Sequence, residues 1–170
     1  MDTFIEQIIV CKKTPKQITL AVLTMALASV LVTFLLWTWA LGAITLVLAA
    51  AVVYGTWWVL SMMNIEYEYC ITNGDIDIDR ITARRKRERV VSVSLQKVER
   101  VGRYVPAEWK TQQVDRRVMA APSEKEEGLY YFTYRSKKRG HTLVVFRPNE
   151  RMMEAFEAGL PRLLQKDLQK

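Results

Sequence analysis

The sequence predicts a membrane α-hairpin of two transmembrane helices, followed by an α+β domain with an antiparallel β-sheet or barrel and one C-terminal amphipathic helix. Three observations lead to this fold class. All 43 charged residues lie outside residues 17–65, a stretch of 49 residues of which 37 are apolar. Strand-like alternation of apolar and polar residues begins directly after that stretch. A helical stripe of apolar residues then ends the chain.

The uncharged stretch predicts two membrane spans. As a single helix it would be about 73 Å long, whereas the hydrocarbon core of a bilayer is about 30 Å thick. Two spans, residues 15–39 and 43–63, with a turn around Gly42 fit that thickness. A cleaved signal peptide is the alternative, but cleavage near residue 28 would leave a chain that begins in apolar sequence. We therefore expect a transmembrane hairpin over residues 15–65.

The start of the first span has the pattern of a capped helix. Thr14 can accept a hydrogen bond from the backbone, Pro15 suits the first helical position, and Gln17 can bond back to residue 14. Residues 1–14 before it are expected to form a separate interfacial segment. Phe4, Ile5, Ile8 and Ile9 recur at the spacing of a short helix lying in the membrane interface, although a frayed terminus would fit nearly as well.

The distribution of basic residues predicts that both termini face the cytoplasm. Three lysines, at 12, 13 and 16, precede the first span, the turn between the spans carries no charge, and a basic run at 80–89 follows the second span. Loops rich in Lys and Arg stay in the cytoplasm. The protein is thus expected to be a two-span protein of the cell membrane, with Cys11 and Cys70 on the reducing side and no disulfide.

Residues 66–170 are expected to form one cytoplasmic domain. Residues 65–72 alternate between apolar and polar, and Asn73-Gly74 then supplies a two-residue hairpin turn. The apolar faces of the two flanking strands coincide when Ile71 lies opposite Ile76. Further strands are predicted near residues 91–95, 113–120, 129–135 and 142–146.

The last segment predicts an amphipathic helix. Asn149 is a suitable N-cap, and apolar residues from Met152 through Phe156 to Leu164 follow helical spacing. Gly159 and Pro161 predict a bend in this helix. A helix that follows several strands is typical of a sheet or small barrel whose open end the helix covers.

Two spans followed by the motifs at residues 67–78, 89–101 and 143–150 resemble small bacterial membrane proteins that carry a cytoplasmic pleckstrin-homology-like (PH-like) domain. The resemblance covers most of the chain. It implies a seven-stranded, partly open barrel plugged by residues 149–166, and it carries over no catalytic residue.

The densest run of positive charge predicts an anion-binding surface. Near an anionic leaflet each basic residue contributes about 1 kcal/mol before screening. The alternative is a solvated loop that only sets the membrane topology. The candidate residues, including a second short run, are Arg84, Arg85, Lys86, Arg87, Arg89, Lys137, Lys138 and Arg139.

Three aspartates at alternate positions, Asp75, Asp77 and Asp79, begin like a calcium-binding loop. That loop needs Gly where Arg80 stands and Glu six residues later, where the sequence has Lys. We therefore predict one face of a strand, solvated or paired with arginines such as Arg89.

Other sequence features do not suggest catalysis. His141 is the one histidine of the chain and the two cysteines are far apart, so no metal-ligand spacing is recognised and no cofactor is expected. The aromatic run at 130–134 could stack nucleic-acid bases, but alternate aromatics in a strand more often belong to a core, and no nucleic acid is expected. Trp109 is either a core residue or a partner contact.

The sequence thus predicts a non-enzymatic membrane-anchored module that contacts anionic lipid headgroups or another membrane protein. The alternative is an accessory or scaffold subunit of a membrane complex, in which the transmembrane hairpin makes the main contact. The pattern does not predict an oligomeric state.

Overall fold

The computed structural model describes residues 4–38, 42–109, 112–124, 126–136 and 139–168. The chain divides into two compact units, residues 12–65 and residues 1–11 together with 66–170. The first unit contains the two apolar helices. The second differs from the prediction, because the N-terminal residues belong to the same unit as the C-terminal domain.

The hairpin unit consists of α1 (Pro15–Thr38) and α2 (Ala43–Met62), which contact each other. Gln17 Oε1 accepts from the Thr14 backbone at 2.9 Å, and Thr14 Oγ1 accepts from the Gln17 backbone at 3.4 Å, so the predicted capping box is confirmed. Both helices are long and apolar enough to cross a membrane. No residue in the most apolar window of α1 is buried within the chain, unlike those of a soluble core helix. Gly42 has the positive φ of 56° that favours glycine, and the rest of the predicted turn, residues 39–41, lies outside the described residues.

The N-terminal segment is a β-strand, and the predicted interfacial helix is wrong. Strand β1 (Phe4–Val10) pairs antiparallel with β2 (Ile65–Thr72), from Phe4 opposite Thr72 to Val10 opposite Glu66. Ile5 and Ile9 pack against the core of the domain, whereas Phe4, Ile8 and Val10 are exposed. The apolar spacing suits either a helix or a strand, and a sheet edge available more than fifty residues later decides in favour of the strand.

Sheet one has the strand order β1-β2-β3-β4, with β3 at Asp75–Thr82 and β4 at Lys86–Ser94. Asn73 and Gly74 join β2 to β3 with φ of 51° and 85°, as the predicted two-residue turn requires. Ile71 and Ile76 are both buried, as expected from the coincident apolar faces.

Sheet two follows a single 3₁₀ turn at Leu95–Lys97 and has the order β5-β7-β8-β6. Its strands are β5 (Val98–Arg103), β6 (Arg116–Ala120), β7 (Tyr130–Ser136) and β8 (Gly140–Phe146), with the short helix α3 (Pro106–Trp109) between β5 and β6. β6 pairs parallel to β8. The described residues thus form two four-stranded sheets, one of them with a parallel pair, in place of the seven-stranded antiparallel barrel that the resemblance implied. Alternation of apolar residues predicts a strand but neither its direction nor its neighbour.

Two apolar cores lie on opposite faces of sheet two. Val144 and Phe146 of β8 belong to the main core between the sheets, whereas Leu143 and Val145 belong to a second core with Trp109. Trp109 is 1% exposed and lies edge-on to Tyr131, so it is a core residue. The aromatic strand β7 likewise divides its side chains between the two cores.

The terminal helix is bent as predicted, into α4 (Glu150–Gly159) and α5 (Arg162–Leu168). Asn149 caps α4 by accepting a hydrogen bond from the Met152 backbone at 2.8 Å. α4 contacts β1 and the 3₁₀ turn, and α5 contacts β5, so the helices cover the opening between the outer strands β1 and β5. Phe156 is fully buried against Phe132 and Phe146.

Side chains join the two sheets where strand pairing does not. The Tyr69 hydroxyl donates to the Ala120 carbonyl and accepts from the Arg147 backbone at 3.3 Å. On the other side, Val90 is the extra residue of a β-bulge in β4, and its carbonyl accepts from Arg139 at 2.8 Å. The described strands therefore form an open arrangement of two sheets, and a closed barrel is not observed.

Candidate anion-binding site

The predicted basic cluster begins in the turn between β3 and β4, which contains Arg84 and Arg85, and continues into β4 with Lys86, Arg87 and Arg89. We call the consecutive residues Arg84–Arg87 the basic turn. β2 runs away from Glu66 and β3 runs back, so the turn lies at the same end of sheet one as Val10 and Glu66. Arg84 Nε donates to Glu66 Oε1 at 3.0 Å, which fixes this position. At this end of the sheet the chain leads into α1 and returns from α2.

The backbone of the turn is unusual for its residues. Ala83 and Arg84 both have φ of 55°, a left-handed conformation that favours Gly, Asn or Asp. The Arg85 backbone still donates to the Thr82 carbonyl at 3.1 Å, which closes the turn. Non-glycine residues in this region cost on the order of 1 kcal/mol each, so the sequence of the turn is not the most stable one for its shape.

Two arginines of the basic turn lie over carboxylates of β2. Arg84 pairs with Glu66, and Arg87 pairs with Glu68. The arginine side chains remain 80% and 58% exposed, whereas the Glu66 and Glu68 side chains are only 14% and 9% exposed. The carboxylates are covered by the sheet and the guanidinium groups remain open to solvent.

The next arginine, Arg89, binds the aspartates of β3. It contacts Asp77 Oδ2 and Asp79 Oδ1, each at 2.9 Å, which confirms the predicted arginine-paired strand face. The hydrogen bond that Arg89 donates to Asp79, together with the charge of Asp77, raises the pKa of Arg89. Arg89 thus pairs with two carboxylates, whereas Arg84 and Arg87 each pair with one.

The middle of the basic turn is also exposed. Arg85 and Lys86 are exposed, and Lys86 has no ion-pair partner within the part of the chain that the structure describes. The turn therefore presents one amine without a carboxylate partner and two exposed guanidinium groups above buried carboxylates.

Glu68 is held in an environment that disfavours its charge. Burial is the main cause of its raised pKa, and a hydrogen bond with Glu6 of β1 adds to it. Arg87 acts in the opposite direction, and the charge of Asp79 raises the pKa further. The Glu68 carboxylate is thus both the partner of Arg87 and an unfavourably buried charge.

The second predicted run does not lie in the turn. Arg139 is bonded to the Val90 carbonyl in the middle of β4, where Arg116 also donates at 3.4 Å. Lys137 and Lys138 lie outside the described residues. The described part of this run therefore bridges the two sheets.

Sequence analysis missed the carboxylates that pair with the basic turn. Glu66 and Glu68 lie on the same face of β2, and Arg87 lies on the same face of β4, two strands away. A prediction of how β2, β3 and β4 align in the sheet could therefore have revealed the pairs. The prediction treated the charges of each strand separately.

Among the described residues, no group of three or more His, Cys, Asp or Glu side chains is arranged to hold a metal ion. Cys11 lies beside β2, and burial, with a smaller effect of Glu66, raises the pKa of Cys11 to about 11. The Cys11 thiol is therefore protonated at neutral pH.

Residues 1–166 match a family model described as a bacterial PH-like domain (DUF6106). The chain belongs to this family. The family has no established function, and membership confirms the resemblance found in the sequence. No curated protein and no solved structure matches the chain. The match includes β1 and both apolar helices, so the family comprises the complete arrangement of hairpin and domain.

Proposed function

We propose that this PH-like protein is a non-enzymatic module of the cell membrane whose basic turn contacts anionic lipid headgroups at the cytoplasmic surface. The observation that carries the proposal is the position of the basic turn, at the end of sheet one that leads into both apolar helices. Its exposed arginines and Lys86 supply the positive charge that such a contact requires.

Short linkers support this function. Four residues, 11–14, separate β1 from α1, and two residues, 63 and 64, separate α2 from β2. An extended chain spans at most about 3.5 Å per residue, so the two-residue linker keeps the first residue of β2 within about 10 Å of the end of α2. Basic residues there are close enough to feel an anionic leaflet, whose potential decays over about 8 Å at physiological ionic strength.

The pairing of β1 with β2 supports a hairpin topology. Strand β1 precedes both apolar helices and β2 follows them, and the two strands share one sheet. Both must therefore lie on one side of the bilayer if both helices cross it. The lysines before α1 and the basic turn after α2 favour the cytoplasmic side. Reporter proteins fused to each terminus test this, and an external C-terminus would contradict it.

A footprinting experiment on the full chain tests the lipid contact. The protein is reconstituted in nanodiscs of phosphatidylcholine with or without phosphatidylglycerol, and acetylation of Lys86 is measured by mass spectrometry. Lys97 lies beyond the other end of β4 and serves as the internal reference. Phosphatidylglycerol should protect Lys86 but not Lys97, and high salt should remove the protection.

The triple variant Arg84→Gln, Arg85→Gln, Arg87→Gln keeps Lys86 as the reporter and should lose most of the protection. The variant Arg103→Gln, Arg151→Gln, Arg162→Gln is the matched control, because it removes the same charge from exposed positions elsewhere. The proposal is wrong if phosphatidylglycerol leaves the reactivity of Lys86 in the wild type unchanged at low salt.

A protein partner is the second candidate, and one observation favours it. Phe4, Ile8 and Val10 are 65%, 54% and 62% exposed on one face of β1. Exposed apolar side chains in a row are typical of contact surfaces. Replacement of all three by Ser should abolish capture of such a partner from native membranes while leaving the protection of Lys86 intact.

A further inference from the structure

We propose that Glu66 and Glu68 are internal competitors for the basic turn, so that release of Arg84 and Arg87 from these carboxylates strengthens the contact with anionic headgroups. This inference rests on the proposed function and assigns a regulatory role to two residues of β2. The structure shows the basic turn in its paired state, with both carboxylates engaged.

The geometry makes the competition direct. Phosphate and carboxylate oxygens accept the same hydrogen bonds from a guanidinium group, so one arginine cannot satisfy both fully. Arg84 donates from Nε to Glu66, and Arg87 uses a terminal nitrogen for Glu68. Each arginine must weaken its internal pair to bind a headgroup fully.

Exposure makes the exchange possible. With 80% and 58% of their side chains exposed, Arg84 and Arg87 can turn toward a headgroup without unfolding the strands beneath them. Each pair joins an exposed guanidinium group to a carboxylate that is only 14% or 9% exposed, so replacement of the carboxylate by an amide frees the arginine without leaving a buried charge unpaired. Arg89 provides the contrast, since two aspartates hold it.

Glu68 is the more easily displaced partner. It faces Glu6 from β1, Asp79 from β3 and Arg87 from β4, so two of these three neighbours are acidic. Burial and these acidic neighbours raise the pKa of Glu68, which favours its neutral form. A neutral Glu68 no longer holds Arg87 by charge, so mild acidification is expected to act in the same direction as removal of the carboxylate.

The test compares single substitutions that each remove one carboxylate and so raise the net charge of the full chain by one. Glu66→Gln and Glu68→Gln remove a competitor, whereas Asp75→Asn changes an exposed carboxylate at the opposite end of sheet one and has no ion-pair partner among the described residues. The readout is the phosphatidylglycerol fraction that protects half of Lys86 in nanodiscs at fixed pH and salt. Circular dichroism checks that each variant is folded, and the two glutamate variants are independent of each other.

Each glutamate variant should need about fivefold less phosphatidylglycerol than the wild type, the equivalent of one released basic residue. Asp75→Asn should change the fraction less than twofold. If the wild type responds to phosphatidylglycerol but both glutamate variants behave like Asp75→Asn, the competition is refuted and the lipid contact stands. If the wild type does not respond, the lipid contact itself is refuted, and the competition with it.

Discussion

Sheet one and sheet two each have four strands, but their outer faces differ. Sheet two packs Leu143 and Val145 under Trp109, so both of its faces are apolar and buried. Sheet one packs one face on the main core and carries ion pairs on the other, where Arg87 and Arg89 lie over the carboxylates of Glu68 and Asp79. The sheet connected to the apolar helices is thus the one with a charged outer face, whereas the outer face of sheet two is covered by the second core.

Phe156 tests what the two sheets share and should give the largest effect. It is fully buried among the rings of β7 and β8, below α4. Phe156→Ala should lower the free energy of unfolding by about 3–5 kcal/mol. Thermal unfolding of the full chain in detergent, followed by circular dichroism, measures it. Glu154→Ala, at an exposed position of the same helix, should change the midpoint little, and equal small effects would contradict the assigned core.

Substitutions on the outer faces of the two sheets should differ in how much stability they cost. Trp109→Ala removes the cover of sheet two and should cost about 3 kcal/mol or more. Ile8→Ala, on the exposed face of sheet one, should cost about 0.5 kcal/mol or less. Chemical denaturation of both variants measures the difference. A loss for Ile8→Ala as large as that for Trp109→Ala would mean that the face of β1 is covered in the folded protein.

The link between the sheets gives an intermediate effect. Burial raises the pKa of Tyr69 above its ordinary value. Its hydroxyl donates a hydrogen bond to the carbonyl of Ala120, the last residue of β6, and accepts one from the backbone of Arg147, which follows β8. Tyr69→Phe leaves these groups without that partner and should cost about 1–3 kcal/mol. Equilibrium unfolding in urea tests this, with Tyr54→Phe in α2 as the control. An unchanged midpoint would show that the hydroxyl does not join the sheets.

The smallest effect is a pH dependence on the charged face of sheet one. The pKa of Glu68 is raised from 4.5 on folding, so its contribution to stability is greatest below that value and is lost as the pH rises through the folded-state pKa. Glu68→Gln cannot ionise. Its stability relative to the wild type should therefore increase between pH 4 and pH 7, while the two proteins coincide at lower pH. The melting temperatures of both proteins across this range measure the trend. A decrease in the relative stability of Glu68→Gln as the pH rises would mean that the pKa of Glu68 is not raised.

Local sequence patterns predicted individual helices, strands and turns better than they predicted which strands pair with each other. The hairpin at Asn73-Gly74, the Asn149 cap and the bend near Pro161 depend on nearby residues, and all three are present. β1 depends on an edge formed more than fifty residues later, and the parallel pairing of β6 with β8 depends on how the intervening segment crosses sheet two. Such long-range contacts have no local sequence signal.

The sequence predicted where the candidate site lies along the chain, but it did not predict the ion pairs that the site forms with Glu66 and Glu68. The basic run at 84–87 does form an exposed turn. Its ion pairs with β2 required a three-strand register, and the fully buried Trp109 required the second core on sheet two. Charge counts alone therefore overstate how much positive potential the turn presents to a ligand.

The place of β1 in the chain also has a consequence for biosynthesis. β1 is synthesised first, but its partner β2 is translated only after both apolar helices, which at about 5–20 residues per second leaves β1 unpaired for several seconds. If both helices cross the bilayer, the domain completes its sheet only after the chain has returned to the side on which β1 lies. A chain in which only one of the two helices crosses would have β1 and β2 on opposite sides of the bilayer and would keep an open β2 edge. In a two-span topology, completion of the sheet therefore requires that both helices have crossed.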